Sequence, residues 1–360
     1  MATRYAYAEN INYACMEECK WLVVGSGPSG MMAAKTLADN GEHDTIIVER
    51  LSSDVHRRYH SICGEAVSER ILSRIGFRPD AVLKEVSSIS IEFSGGISID
   101  IPVKGHIVDR NAMLNQLRDE CNADFIHASV RSARKTEGGF IVTTNNGDIK
   151  CERIIGADGA HSVVRRDIFG STPEEMIPIV NNIVPGDGGE VLKFIVCERY
   201  HGGYRWEFPS SEGFMSVGYP KGTDHIDGVV SKGARCMPIG KLPSVVNGNA
   251  SIVGDAASLA NPLCFGGIGA ALLSGRKAAE AMISGKPEKY QSWINHDRMF
   301  NSHFMDAHKA FSLWRDSDII EAMKPFRNGY SIPRGFLAMV KHPSWANIYM
   351  ACWLGFARGW

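Results

Sequence analysis

Six residues, Gly25-Ser26-Gly27-Pro28-Ser29-Gly30, constrain this chain more than any other part of it. They stand between a short apolar run, Trp21-Leu22-Val23-Val24, and a stretch carrying Ala33, Ala34, Leu37 and Ala38. The run reads as a buried parallel strand and the stretch as a small-residue helix that Gly41 stops. In such a strand–turn–helix unit Gly25 allows the tight turn and Gly27 lets the backbone approach a pyrophosphate. Gly30 lets helix and strand pack closely. The free N–H groups and positive end of the helix, with Ser29 in its first turn, then receive phosphate. Thr45-Ile46-Ile47-Val48 is the second strand. Glu49, 19 residues after Gly30, stands at its end, where a carboxylate binds ribose hydroxyls, and Arg50 follows it. These features together predict a dinucleotide site.

The patterning changes further along. Ile89-Ser90-Ile91-Glu92-Phe93 and Ile97-Ser98-Ile99-Asp100-Ile101 alternate at period two around Gly95-Gly96, which predicts an antiparallel hairpin in a different sheet. Asn111–Cys121 reads as a helix, and Phe140–Thr143 and Arg153–Ile155 as strands. Leu192–Tyr219 reads as more antiparallel sheet. Ser251-Ile252-Val253 returns to the buried parallel type, followed by a helix from Ile268 to about Ile283 with Gly285 as its stop. Parallel and antiparallel segments interleave, so two domains are expected to be discontinuous in sequence.

Composition excludes several classes. With 360 residues, 44% hydrophobic, 22% charged and a formal net charge of -1, the chain has no electrostatic footprint for nucleic acid. Nine cysteines lack a pairing rhythm, and Met1–Asn12 lacks the basic and apolar regions of a secretory signal. Cytoplasmic residence with free thiols is the expectation. Cys15 and Cys19 are read as ordinary thiols, because no second pair of ligands completes a metal site. No run approaches the roughly 18 apolar residues of a spanning helix. Gly335–Trp360 differs in character, carrying Trp345, Tyr349, Trp353, Phe356 and Trp360 with Lys341, His342 and Arg358. That mix suits either a helix closing an apolar pocket, the reading favoured here, or peripheral contact with a membrane.

Two later segments separate FAD from NAD. One is Gly156-Ala157-Asp158-Gly159-Ala160-His161-Ser162-Val163-Val164-Arg165. The other is Gly254-Asp255-Ala256-Ala257, succeeded by Asn261-Pro262-Leu263-Cys264-Phe265-Gly266-Gly267-Ile268-Gly269. With these the chain resembles the FAD oxidoreductases that include aromatic hydroxylases, flavin halogenases and geranylgeranyl reductases. The resemblance implies non-covalent FAD, with Asp255 on the ribitol and Asp158 and Gly159 beside the cofactor. Arg110 belongs to the same set. It also implies that the helix starting at Ile268, after Pro262, Gly266 and Gly267, aims its N-terminus at the flavin pyrimidine.

Cys63-Gly64-Glu65-Ala66-Val67-Ser68, Tyr204-Arg205-Trp206-Glu207-Phe208-Pro209 and Ala270–Arg276 make the finer resemblance one to the geranylgeranyl reductase family. It implies reduction of isolated carbon–carbon double bonds in prenyl chains by reduced flavin, with NAD(P)H, ferredoxin or another protein as electron donor. Tyr204 and Trp206 share one face of a strand and either line an apolar cavity or are plain core. Cys63 is a proton donor, a substrate-positioning thiol or a buried small hydrophobe. His60 lies between surface and site. The chain departs from the family at Phe265, where a glycine is usual and a Phe must crowd the flavin or re-route the loop. It is also short between Gly222 and Gly233.

The expected fold class is α/β. A Rossmann-type FAD domain (19–85, 105–170, 245–286) interleaves with an antiparallel substrate domain (86–104, 171–244), and a helical, aromatic-rich region (287–360) follows. The rival functions are a flavin monooxygenase or halogenase and a non-catalytic redox flavoprotein. The halogenase version is disfavoured, since Tyr204-Arg205-Trp206 lacks that family's Trp-x-Trp.

Overall fold

A computed structural model describes residues 16–358, with side chains through Gly355. Cys15 therefore lies outside the described residues. Cys19 is buried in the first strand opposite Cys151, and burial pushes its thiol up to about 12.

Strand β1 (Glu17–Val24) is the axis of the first sheet and is flanked in parallel by β2 (Thr45–Glu49) and β9 (Gly147–Gly156). Beyond them lie β6 (Asp124–His127) on one side and β16 (Ala250–Ile252) with β15 (Val246–Asn247) on the other. Strands β7 (Val130–Thr136) and β8 (Gly139–Thr144) extend β9 as an antiparallel meander. Every residue of β1 from Trp21 to Val24 is buried, as a strand covered on both faces requires.

Helix α1 (Pro28–Asp39) starts on Pro28 with Gly27 as its N-cap, and Gly41 follows it in a left-handed conformation (φ 77°). It packs along α5 (Ile268–Ile283) at very short range. A Cβ at Gly275 would collide with the Ser29 carbonyl, so only glycine lets the two helices approach this closely. Helices α3 (Glu69–Ile75), α4 (Arg110–Asp119) and α6 (Glu288–His296) complete this core through residues such as Leu72, Met113 and Tyr290.

The second sheet is built mainly from antiparallel pairs, in the order β14 (Ser231–Ile239), β10 (Glu175–Pro185), β13 (Phe214–Pro220), β12 (Arg205–Pro209), β11 (Val191–Val196), β4 (Val82–Phe93), β5 (Ile97–Val108) and β3 (Ala66–Ser68). Only β11 and β4 pair in parallel. The hairpin turns on Gly95 and Gly96, both at positive φ (78° and 71°). It runs well past the alternating segments, because register shifts after Val82 and Val86 break the period without ending the ladder. This sheet thus takes up 82–108, and also 66–68. Helices α7 (His303–Leu313), α8 (Asp316–Met323), α9 (Ile332–Lys341) and α10 (Ala346–Cys352) pack against its core, whereas α6 belongs to the first. Helix α2 (Ser53–His60) leads into the segment that joins the two sheets.

Candidate active site

One cavity of about 840 Å³ runs between the two sheets. It is walled by Gly25, Gly27, Ser29, Glu49, Arg50, Cys63, Gly64, Arg110, Asp158, Gly159, Asp255, Gly266, Gly267 and Ile268, and by Tyr204 and Trp206. Three of the residues singled out in the sequence lie off its wall. Gly30 sits behind the Gly-rich turn, where a Cβ would collide with the Gly25 carbonyl. Gly254 is left-handed (φ 57°), and a Cβ there would stand 2.7 Å from Ser29 Oγ. Pro262 belongs to a turn folded by Asn261, whose side-chain oxygen accepts the N–H groups of Leu263 (2.8 Å) and Cys264 (3.1 Å). These three shape the frame and make no wall.

Gly27 behaves differently. Its φ of −72° suits any residue, and a Cβ would meet only the edge of the His60 ring, 3.4 Å from Cε1 and 3.9 Å from Nε2. The fold makes little demand for glycine there, so the requirement must come from whatever approaches the turn. Glu49 braces the turn: one carboxylate oxygen accepts the Ser26 N–H and hydroxyl (both 2.8 Å), and the other accepts the Leu51 N–H (2.8 Å). Neither α1 nor α5 carries a side-chain cap, so both leave first-turn N–H groups toward the cavity.

Asp158 accepts the Val163 and Val164 N–H groups through Oδ2 (2.6 and 3.2 Å), while its buried Oδ1 has no partner in the protein. Burial holds its carboxyl above the usual range. Arg165 donates to the Ala160 and Ala256 carbonyls (2.6 and 3.0 Å) and thereby ties the Asp158 loop to the Asp255 loop. Arg110 is buried, with Nη2 2.7 Å from His60 Nδ1 and with Nε unpartnered. His60 is likewise buried, and desolvation beside that guanidinium pushes its pKa far down, so it is the neutral acceptor. Two orphaned polar atoms, two uncapped helix starts and a glycine demanded only by a ligand fit a large phosphate-bearing cofactor.

The other end of the cavity is aromatic. Tyr204 is buried, donates its hydroxyl to the Cys264 carbonyl and stacks on Phe265 at 5.0 Å. Phe265 takes a left-handed φ of 51°, and its ring stacks on Tyr204. Trp206 donates to Ser216 Oγ (3.2 Å) and lies flat over Gly218, where any side chain would collide with its ring. Both polar tips are thus occupied, and the rings offer apolar surface. Cys63 is half-buried beside them. Its carbonyl accepts Asn181 Nδ2 (3.3 Å) and Ser216 Oγ (3.4 Å), and its Sγ accepts the Glu65 N–H (3.3 Å). A Cβ at Gly64 would stand 2.7 Å from the Phe208 ring, so this segment lies directly on β12.

Glu65, Arg235 and Asn181 escaped the reading of the sequence. Glu65 is held at φ 57°, and burial pushes its carboxyl up to about 7. Its place in Cys63-Gly64-Glu65 was the available signal. Arg235, on β14, pairs with Asp255 (3.1 Å) and lies over the Tyr59 ring. Nothing local in the sequence marks it.

Residues 18–90 match the family of FAD-binding domains. The chain is similar to digeranylgeranylglycerophospholipid reductase 1 of Methanopyrus kandleri, at 27% identity over 74% of this chain and 81% of that one. It is similar to the chloroplastic geranylgeranyl diphosphate reductase of Oryza sativa subsp. japonica, at 24% identity over 73% of this chain and 66% of that one. A geranylgeranyl bacteriochlorophyll reductase-like protein of Thermoplasma acidophilum shares the fold, with a TM-score of 0.76, 20% identity and coverage of 93% of this chain and all of that one. Fold and site define a two-sheet, FAD-dependent oxidoreductase. Within that class the chain is similar to the geranylgeranyl reductases.

Proposed function

We propose that this protein reduces carbon–carbon double bonds of a prenyl or similarly apolar chain, using non-covalent FAD. The observation that carries the reading is the continuity of one cavity, from the polar cradle of Gly27, Asp158 and Asp255 to the aromatic chamber of Phe194, Tyr204, Trp206, Phe208 and Phe304. The names of the relatives, which act on geranylgeranyl compounds, support it. The Gly25–Gly30 turn and α1 would hold the diphosphate, Glu49 a ribose, and Asp255 the ribitol. Arg110 and the start of α5 would lie near the flavin, with Arg50, Asp158 and Gly159 completing the cradle.

Reduced flavin supplies a hydride when bound. The chain's part is to align the alkene against Tyr204 and Trp206, to exclude water, and to deliver a proton from Cys63 Sγ at the junction of cradle and chamber. One dinucleotide turn is present, so NAD(P)H as donor would visit the flavin transiently; ferredoxin is the other donor class. Peripheral membrane contact belongs to the same reading, because a lipid substrate resides there.

Single-turnover oxidation of the reduced enzyme by an unsaturated prenyl substrate tests the proposal. Cys63→Ala should lose on the order of 10²–10⁴ in rate and Cys63→Ser less, with flavin content unchanged. Equal rates in wild type and both variants would remove Cys63 from proton transfer. Oxygen-dependent formation of a hydroxylated product would replace the reductase with a monooxygenase.

A further inference from the structure

Helix α9 is built inside out. It buries its two smallest residues, Gly335 and Ala338, with Met339 half-buried beside them, and turns four large apolar residues outward: Ile332 is 65% exposed, Phe336 66%, Leu337 50% and Val340 62%. At 100° per residue, Ile332, Phe336, Val340 and Leu337 fall within an arc of about 140°, a continuous apolar face. Singly exposed apolar residues need no explanation, but four large ones on ten residues of helix do.

The charge around that face says what covers it. From Ala322 to Trp360 the sequence holds Lys324, Arg327, Arg334, Lys341 and Arg358 and no Asp or Glu, in a chain whose formal net charge is -1. Arg327, Arg334 and Lys341 form no ion pair with a carboxylate among the described residues. A second copy docked face to face would bring two such sets of cations together. A bilayer with anionic headgroups instead satisfies both features, taking the apolar arc below the headgroups and pairing the flanking cations with phosphates.

The position of the helix gives this contact a use. Helix α10 follows α9 after one short turn and packs on α7, and the residues just beyond it, Leu354 and Gly355, wall the cavity beside Phe304 of α7. We infer that α9 is a membrane-docking helix, lying in the interface of an anionic bilayer with Ile332, Phe336, Leu337 and Val340 inserted, next to the cavity wall. The inference rests on the lipid-reductase reading only for its purpose; the docking itself is measured without catalysis.

Flotation of the FAD-loaded full chain with phosphatidylcholine vesicles containing roughly one-third phosphatidylglycerol tests it. Wild type should float with these vesicles and stay behind with pure phosphatidylcholine. The triple variant Phe336→Ser, Leu337→Ser, Val340→Ser should lose partitioning on the order of a hundredfold. Its flavin content and melting temperature should match wild type, because all three side chains are half or more exposed and lie outside the core clusters. Arg334→Gln and Lys341→Gln should each weaken binding about fivefold. Reduction of vesicle-embedded substrate should fall in the triple variant, while that of a short, detergent-dispersed prenyl substrate should not. Equal flotation of wild type and triple variant would overturn the inference. So would wild type that ignores anionic vesicles and sediments as a dimer, with the triple variant a monomer. If wild type docks but reduces no prenyl substrate in any form, the proposed function fails and the docking helix stands.

Discussion

Glu65 concentrates several demands on one side chain. Its backbone is left-handed without being glycine, which costs about 1 kcal/mol or more, and the surroundings hold it there from three sides. Its N–H reaches Cys63 Sγ, its carbonyl accepts the Val108 N–H (3.0 Å), and its carboxylate is 3.4 Å from the Arg110 N–H. Burial outweighs the attraction of Arg110 and pushes the carboxyl up to about 7. The folded state therefore keeps this proton at pH values where the unfolded chain, with a pKa near 4.5, has released it. The associated stability is fully present below about 4.5 and is lost as pH rises toward about 7, with no further change above. Glu65→Gln, neutral throughout, should be more stable than wild type at pH 8, by on the order of 1–3 kcal/mol, with no such gain near pH 4. Urea unfolding at the two pH values measures the difference. A constant offset would show that the carboxyl titrates in its ordinary range. This residue was only half legible in the sequence: Cys63-Gly64-Glu65 stood out as a segment, but which member is buried and strained depends on how β12 receives it.

Elements tell a similar story about legibility. The unit from Trp21 to Glu49 and the helix at Ile268–Ile283 could be read locally, because their periodicity, glycines and stops lie within a few residues of one another. Arg235 and Asn181 could not, because each reaches the site only through the register of β10 and β14, where Ile179 faces Arg235 and Asn181 faces Gly233. Phe265 was legible as an anomaly, and its left-handed φ and stacking on Tyr204 depend on a strand sixty residues away. The pair Arg235–Asp255 joins an element of each sheet: β14 and the loop after β16. It is mostly removed from water, so its worth is largely the penalty of leaving one partner alone. Arg235→Met should cost about 2 kcal/mol and weaken flavin retention, while Arg235→Met with Asp255→Asn should recover part of the stability. Thermal melts of the four members of the cycle decide it. Additive losses would mean that the two side chains stabilise their own sheets separately.

At the scale of the whole molecule, the question is what the C-terminal helices do for a fold that already has two sheets. The aromatic residues after Gly335 divide by role. Tyr349 is buried, donates to the Ala322 carbonyl (2.8 Å) and meets Phe326 edge-on, while Trp345 stacks on His342 and meets Trp314. These side chains close the second core, as the pocket reading of the sequence expected, and the outward face belongs to α9, through Ile332, Phe336, Leu337 and Val340. A chain ending at Pro333 would lose α10, so Phe326, Phe304 and Phe311 would lose their cover, and Leu354 and Gly355 would leave the cavity wall. Burial of that much apolar surface is worth several kcal/mol, a large share of the net stability of any domain. The first sheet, with α1, α5 and α6, keeps its own core and the Gly-rich turn. The truncated protein should therefore bind a hydrophobic dye strongly, aggregate at concentrations where the full chain does not, and still show the parallel-sheet amides protected in hydrogen exchange. The triple serine variant of α9 should neither bind the dye nor aggregate, and should keep those amides protected. A truncated chain that stays monomeric, binds no dye and retains FAD with native affinity would show that α10 is an appendage and that the second sheet is sealed by α7 and α8 alone.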